Sequence, residues 1–232
     1  MQIADWTRES FVVLEKTTKQ QFRFGMPGPT LSETEWRHCL DVLAALNPSP
    51  DYIVASGSLP LGVPADFYAR VARLGRKCGA RVIVDTPGEA LRAAVHEGVY
   101  LVKPNLRELS DLADHDLKEE AQQEAAVMDL VHRENCQAVV LSLGAAGVLL
   151  GSASGCERFR APTVPIVSKV GAGDSTVAGL VLSLARGRSL HEAVQFGIAA
   201  GAAAVMTPGT ELCRREDTER LYERLIGAET AE

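Results

Sequence analysis

A short glycine-rich segment followed by an aspartate is the first candidate for chemistry in this chain. Gly171, Ala172 and Gly173 precede Asp174, and small and apolar residues continue after them at helical spacing. The first backbone N–H groups of a helix have no partner within the helix and carry the positive end of its dipole, so an anion can approach them closely where side chains lack bulk. Asp174 would then lie beside that anion. It could accept a proton from a hydroxyl that attacks a phosphoryl group, while the backbone donors stabilise the transferred charge.

The same four residues also fit a plain glycine turn in which Asp174 only begins a helix. On this segment alone the plain turn is the favoured interpretation, because short glycine patterns are common. No Gly-Lys-Ser/Thr sequence follows, so the segment is not a P-loop, and the dinucleotide pattern G-x-G-x-x-G is incomplete. The choice between the two interpretations depends on the rest of the chain.

A second polar segment, VKPNLREL, contains Lys103, Asn105 and Glu108. Asn105 and Glu108 are spaced to share one face if a helix begins there. An amide and a carboxylate in that arrangement could organise Mg²⁺, partly through water. The alternative is a helix cap with a solvated glutamate, which this segment alone favours.

A third segment, SLGAAG, places Ser142, Gly144 and Gly147 after a predicted strand. Close approach of its backbone would suit a nucleotide. A tight hairpin turn is nearly as good an explanation of the same residues.

The elements that would position these residues follow an α/β rhythm. From residue 51 to residue 144, apolar β-branched runs alternate with amphipathic helices, which predicts βαβ units and a parallel sheet. Residues 10–25 and 146–162 are predicted to form hairpins. Three further helices are predicted to begin near Gly173, Leu190 and Arg215.

The segments with chemical potential fall where strands end. Ligands of open α/β sheets bind beyond the carboxyl ends of the strands. SGSLP, DTPGE, KPNLRE, SLGAAG and GAGD all lie at such ends or next to them in this prediction. Before them, Ser32 and Glu35 have the spacing of a capping box, for a helix that runs to about Leu46.

Composition excludes several classes of function. The chain has 232 residues, 46% of them hydrophobic and 23% charged, as expected for a globular domain with a sizeable core. Its net charge of −6 argues against nucleic acid or an anionic membrane as the main partner. No apolar run approaches a membrane span, and no basic-then-apolar leader precedes the domain. Five scattered cysteines without a C-x-x-C pair fit reduced thiols, so we expect a cytoplasmic protein.

Taken together and in order, SGSLPLGVP, DTPGEAL, LVKPNLREL, VVLSLGAAG, VGAGDS and FGIAAGAAAVMTPGTELC resemble the ribokinase-like, phosphofructokinase-B family of carbohydrate kinases. The resemblance covers essentially the whole chain. DWTRESFVV, RFGMPG and GTELC are most similar to the minor, B-type 6-phosphofructokinases within that family. The 1-phosphofructokinases and tagatose-6-phosphate kinases are the nearest alternatives.

The resemblance implies a fold and an activity. The fold is a three-layer α/β sandwich around a parallel sheet, with a small β lid. Residues 1–25 would form part of the lid, and residues 26–232 the nucleotide-binding core. The activity is ATP-dependent phosphorylation of a sugar phosphate, fructose 6-phosphate first of all, with Mg²⁺ and K⁺ as cofactors. Two copies would associate through their lid strands.

The resemblance also implies roles for single residues. Asp174 would be the general base, and residues 171–173 the anion hole. Arg8 would bind the sugar 6-phosphate, and Ser58 would lie near the sugar. The residues expected around ATP are Lys103, Asn105, Ser142, Gly144, Gly147, Ile198 and Ala202, with Asn105 and Glu108 organising Mg²⁺. The oxygens expected around K⁺ are those of Ser168, Val170, Ala204, Thr207, Gly209 and Glu211.

The match departs from the family pattern at the front. Kinases of this family begin with a strand that carries a sugar-binding aspartate, and a glycine pair that also binds the sugar follows that strand. This chain enters the pattern just before DWTRES. We therefore expect an N-terminal portion of the family domain to be missing. That departure leaves a second hypothesis open, a non-catalytic remnant that still binds nucleotide.

Overall fold

The chain opens with an antiparallel hairpin that forms a sheet of its own. The computed structural model describes residues 2–18, 20–133 and 136–229. Strand β1 (Ser10–Leu14) pairs with β2 (Gln21–Gly25), with Ser10 opposite Gly25. This confirms the first predicted hairpin. Its assignment as a separate lid domain stays a prediction.

A six-stranded sheet forms the centre of the molecule. Its strands follow one another in space as they do in the chain. The first four run parallel and the last two antiparallel, so the predicted parallel sheet and second hairpin are both confirmed. The strands are β3 (Tyr52–Ser56), β4 (Arg81–Asp85), β5 (Leu101–Val102), β6 (Ala138–Ser142), β7 (Val148–Ser152) and β8 (Gly155–Phe159).

Eight helices cover the two faces of this sheet in the described part of the chain. The first five are α1 (Glu33–Ala44), α2 (Phe67–Cys78), α3 (Gly88–Glu97), α4 (Leu106–Ala113) and α5 (Glu120–Arg133). The last three are α6 (Ala172–Ala185), α7 (Leu190–Val205) and α8 (Arg215–Glu229), close to their predicted starts.

The capping box of the first helix is present. The Ser32 hydroxyl accepts a hydrogen bond from the N–H of Glu35, whose carboxylate accepts one from the N–H of Ser32. The helix ends at Ala44, short of the predicted Leu46, and the N–H of Ala45 closes the last turn on Asp41.

Side-chain alternation along the strands separates two hydrophobic cores. Val84 and Val102 face the layer built by α1 to α5. Their neighbours Ile83 and Leu101 face α6 and α7, where they pack with Leu180 among others. Because successive strand residues point to opposite faces, each buried strand supplies both cores. The result is the three-layer sandwich that the sequence predicts.

Helices α6 and α7 approach each other unusually closely, because glycines line their contact. A Cβ atom at Gly197 would lie 2.8 Å from the carbonyl oxygen of Thr176, and one at Gly201 would lie 2.2 Å from the Thr176 hydroxyl. A Cβ atom at Gly179 would lie 2.7 Å from that of Ala200. These contacts fix the first turns of α6 against the second half of α7.

None of the helices in the described ranges combines the length and apolar character that crossing a bilayer requires.

Gly197→Ala should lower the free energy of unfolding by about 1–3 kcal/mol, because the added methyl group must push α6 away from α7. Chemical denaturation followed by circular dichroism measures the change. Gly227→Ala is the matched control, since a Cβ atom there would meet no atom within 4 Å and alanine favours a helix. Equal stabilities of the two variants would contradict the close packing.

Candidate active site

The carboxyl edge of the parallel strands collects the polar residues that the sequence singled out. Strand β4 ends at Asp85, Lys103 directly follows β5, and β6 ends at Ser142. Ser142 and Asn105 form an isolated parallel bridge, and the N–H of Ser142 donates to the carbonyl of Pro104 at 2.9 Å. The segments after β5 and β6 are therefore held side by side, as predicted from the strand ends.

Lys103 makes a buried ion pair with Asp85. Strand register places Ile83 opposite Leu101 and Val84 opposite Val102, so the next residues, Asp85 and Lys103, are neighbours on the same sheet face as Ile83 and Leu101. The Lys103 Nζ lies 3.2 Å from Oδ2 of Asp85, and the two side chains are 8% and 17% exposed. That face is covered by α6, so the pair points toward the helix that carries Asp174.

The start of α6 lies close to this ion pair. A Cβ atom at Gly173 would lie 3.7 Å from the Lys103 Nζ. Burial raises the pKa of Asp85 above its ordinary value, the Lys103 ammonium opposes that rise, and the negative charge of Asp174 adds to it. One electrostatic cluster is thus formed by the charged side chains of Asp85, Lys103 and Asp174, and Gly173 lies beside it. Sequence reasoning missed Asp85, although its place at the end of a predicted strand was a usable signal.

The first turn of α6 has the form expected of an anion-binding segment. Gly171 is its N-cap residue, with a φ of 79° that favours glycine, and no side chain caps the helix. The N–H of Ser175 donates back to the Gly171 carbonyl at 2.8 Å, so the turn is fully formed. Asp174 lies in this turn and is exposed, which leaves both its carboxylate and the early N–H groups open to a ligand.

Asn105 and Glu108 form the capping box of α4. The Asn105 Oδ1 accepts from the N–H of Glu108 at 3.0 Å, and the Glu108 Oε2 accepts from the N–H of Asn105 at 2.9 Å. The helix-cap alternative is therefore present in the structure, and the role in Mg²⁺ binding stays a prediction. Within the described residues, no cluster of three or more His, Cys, Asp and Glu side chains is arranged to hold a metal ion.

The segment from Ser142 to Gly147 is the turn between β6 and β7, as the hairpin alternative proposed. Gly147 has a φ of 104°, and a Cβ atom there would lie 1.9 Å from the carbonyl oxygen of Phe159. The hairpin itself therefore requires glycine at this position. Gly144 is exposed at the same edge of the sheet as Ser142, so a role of this turn beside a nucleotide stays a prediction.

Two hydroxyl groups draw together the oxygens expected around K⁺. The Ser168 hydroxyl donates to the carbonyl of Gly209 at 2.6 Å and accepts from the N–H of Val170 at 3.2 Å. The Thr207 hydroxyl lies 2.8 Å from the carbonyl of Ala204 and 2.9 Å from that of Glu211. All six expected residues thus belong to two connected segments.

The Ser168 hydroxyl also connects this region to the hairpin. The side-chain amide of Gln21 donates to it at 2.9 Å and accepts from the N–H of Lys169 at 3.4 Å. Gln21 is another residue that sequence reasoning missed, and nothing in its local sequence indicates the contact.

The remaining predicted residues lie in different parts of the structure. Arg8 is exposed, and its Nε donates to the carbonyl of Met26 at 2.9 Å, so it lies along the hairpin. Ser58 is exposed just beyond β3, at the same edge of the sheet as Asp85. Ile198 is only 5% exposed and packs in the α6–α7 core, whereas Ala202 is half-buried beside α8. The structure brings together the residues predicted to lie near the ATP phosphates. The adenine contact expected for Ile198 stays a prediction.

Comparison with known proteins agrees with this fold. The model of the pfkB family of carbohydrate kinases matches residues 1–217. The chain therefore belongs to this family, whose members are kinases and so transferases.

Two curated relatives and one solved structure are similar to most of this chain. The ATP-dependent 6-phosphofructokinase isozyme 2 of Mycobacterium tuberculosis (strain CDC 1551 / Oshkosh) is 44% identical over 230 residues, which span 99% of this chain and 67% of that protein. The isozyme 2 of Escherichia coli (strain K12) is 40% identical over 219 residues, 94% of this chain and 71% of that protein. A crystal structure of phosphofructokinase-2 from Escherichia coli in complex with potassium superposes with a TM-score of 0.90, at 39% identity over 96% of this chain and 72% of that one.

Proposed function

We propose that this chain is an ATP-dependent kinase that phosphorylates fructose 6-phosphate to fructose 1,6-bisphosphate. The observation that carries the proposal is the position of Asp174, in an uncapped first turn of α6 whose Gly173 lies close to the buried Lys103. The two curated relatives, both ATP-dependent 6-phosphofructokinases, support the choice of substrate.

In the proposed reaction, a sugar hydroxyl oxygen attacks the γ-phosphorus of ATP. Its proton passes to the carboxylate of Asp174, and the bond between the γ-phosphorus and the bridging oxygen breaks to release ADP. The backbone N–H groups of residues 171–173 stabilise the charge on the transferred group, because they are fixed before the reaction begins. Lys103, together with Asn105, contacts the ATP phosphates, and the turn from Ser142 to Gly147 borders the nucleotide.

The residues proposed for the cations suit them chemically. In its capping box, Glu108 is shown using one carboxylate oxygen, Oε2, so Oε1 can face a hydrated Mg²⁺, which prefers a few oxygen ligands and several waters. When bound, Mg²⁺ would neutralise phosphate charge. The carbonyls of Ala204, Gly209 and Glu211, drawn together by the Ser168 and Thr207 hydroxyls, offer the neutral oxygens that suit K⁺.

Residues on the hairpin and beyond β3 are proposed to hold the sugar phosphate. Arg8 supplies a planar cation for the 6-phosphate, which it can bind through two parallel hydrogen bonds. Ser58 supplies a hydroxyl at the sheet edge. The contact of Gln21 with Ser168 keeps the hairpin near the start of α6, which supports the proposal that the hairpin acts as a lid.

Asp174→Asn should reduce the rate of phosphoryl transfer about 10²–10⁴-fold and leave ATP binding nearly unchanged, because the amide cannot accept the proton. A coupled assay for fructose 1,6-bisphosphate and calorimetric titration with ATP measure the two effects. Glu216→Gln, a first-turn carboxylate of α8, is the control and should retain the wild-type rate.

Three outcomes would contradict the proposal in different ways. ATP binding without any transfer to a sugar phosphate would favour the nucleotide-binding remnant. Faster transfer to fructose 1-phosphate or tagatose 6-phosphate would replace the substrate but keep the kinase. An Asp174→Asn variant that retains more than half of the wild-type rate would remove Asp174 from the role of base.

Glu108→Gln should raise the Mg²⁺ concentration needed for half-maximal rate and leave stability nearly unchanged. Glutamine loses the charge that attracts Mg²⁺, but it can still accept the capping hydrogen bond. Titration of the rate with Mg²⁺ measures the change. Glu35→Gln alters the equivalent residue of the α1 capping box and should not move the Mg²⁺ dependence. An unchanged dependence in Glu108→Gln would leave Glu108 with its capping role only.

The hairpin is also the proposed contact between two copies of the chain. Phe11, Val13, Phe22 and Phe24 are cross-strand partners, and all four side chains are 45–51% exposed. One of the two cross-strand pairs, Phe11 and Phe24, stacks with ring centroids 5.0 Å apart. A continuous apolar strand face of this kind favours burial against a second molecule.

Val13→Lys should therefore shift the chain from dimer to monomer, because a charge would enter the apolar contact. Sedimentation velocity over a range of protein concentrations measures the shift. Val54→Lys is the matched control, since Val54 is a strand valine of nearly equal exposure, 44% against 45% for Val13. A wild-type chain that stays monomeric, or the same shift in both variants, would overturn the proposed dimer.

A further inference from the structure

We propose that Asp85 is a positioning residue for ATP binding, which holds the Lys103 side chain in place beside the first turn of α6. The inference rests on the proposed kinase function and adds to it a residue that acts through another, without contact to the substrate. The Asp85–Lys103 ion pair and its distance from Gly173 carry it.

The backbone determines where the two charges meet. The register of β4 and β5, and the hydrogen bond from the N–H of Lys103 to the carbonyl of Val84 at 3.1 Å, bring the two side chains together on one face. On its other side, β4 is tied to the loop after β3, since the N–H of Gly57 donates to the carbonyl of Asp85 at 2.9 Å. Asp85 therefore projects from a backbone that is fixed on both sides.

Burial makes a partner necessary for the Lys103 side chain. A lysine side chain that is 8% exposed has lost most of its hydration, and leaving such a charge without its partner is strongly unfavourable. Without Asp85, the flexible side chain would move toward solvent, away from the start of α6. The Asp85 carboxylate supplies the missing counter-charge and also restricts a side chain that has four rotatable bonds.

Asp174 is the second carboxylate of the cluster. It interacts electrostatically with Asp85, and it is exposed at the mouth of the site. A cation between a buried carboxylate and an approaching polyphosphate keeps the local charge near balance.

A carboxylate elsewhere in the fold provides the comparison for a purely structural ion pair. Glu97 is 22% exposed and lies 2.9 Å from the Arg73 Nε and 3.3 Å from the Arg76 Nη2. It ends α3, on the opposite sheet face from α6. Loss of its charge should cost stability to a similar degree but should not affect a nucleotide at the carboxyl edge.

The test compares ATP affinities of the wild-type chain, Asp85→Asn, Lys103→Met, the double variant and the control Glu97→Gln. Calorimetric titration with ATP is carried out for each variant, with thermal unfolding as the check on folding. We expect Asp85→Asn to weaken ATP binding about tenfold or more. In the Lys103→Met background, the same substitution should add little, because the two residues act as one unit.

Asp85→Glu restores the charge and should recover part of the affinity, which keeps the proposal testable if Asp85→Asn folds poorly. Additive losses in the double variant, or an Asp85→Asn variant with the ATP affinity of the wild type, would overturn the proposal. The same loss in Glu97→Gln would overturn it as well, because the effect would then be one of general stability.

A second measurement separates this proposal from the proposed function. Acetylation of Lys103, followed by mass spectrometry against the exposed Lys77, reports how firmly the Lys103 side chain is held in its buried position. Asp85→Asn should accelerate it relative to Lys77. If the wild-type chain does not bind ATP, the proposed function fails, and an unchanged acetylation rate would overturn the coupling of Asp85 and Lys103 as well.

Discussion

The close contact between α6 and α7 is the constraint on which the rest of the site depends. Helix α6 can present its first turn at the carboxyl edge of the sheet only if its axis is held near α7, and three glycines remove the side chains that would keep the helices apart. The same contact places Ser168, just before α6, within hydrogen-bonding distance of the loop after α7. The proposed phosphate and cation sites thus lie at the same end of one packed pair of helices, where α6 begins and α7 ends.

Much of the fold could be predicted from the sequence because its signals are periodic and local. Strands β3, β4 and β6 are short β-branched runs between amphipathic helices, and their order in the sheet follows from short connections in a parallel arrangement. The capping box of α1 needs only two residues at the right spacing, so it could be recognised without any knowledge of tertiary structure.

The parts of the site that sequence could not supply depend on contacts between distant segments. The Asp85–Lys103 pair needs the register of two buried strands, which hydrophobic runs do not specify. For Asn105 and Glu108 the sequence pattern was visible but ambiguous, because the same spacing suits both a capping box and a metal site. The structure shows the capping box. Ile198 lies in a helix that is apolar on most sides, so the pattern could not indicate whether it faces the core or a ligand.

The amide of Gln21 has a consequence for what this position can accept. Ser168 has a single hydroxyl proton, and it is donated to Gly209, so the serine oxygen can only accept from Gln21. At the other end of the same amide, the oxygen must accept from the N–H of Lys169. Glutamate has no proton to donate at neutral pH, lysine has no oxygen to accept with, and asparagine is one methylene too short. The attachment of the hairpin is therefore selective for hydrogen-bond polarity and reach, and a substitution of equal size can break it.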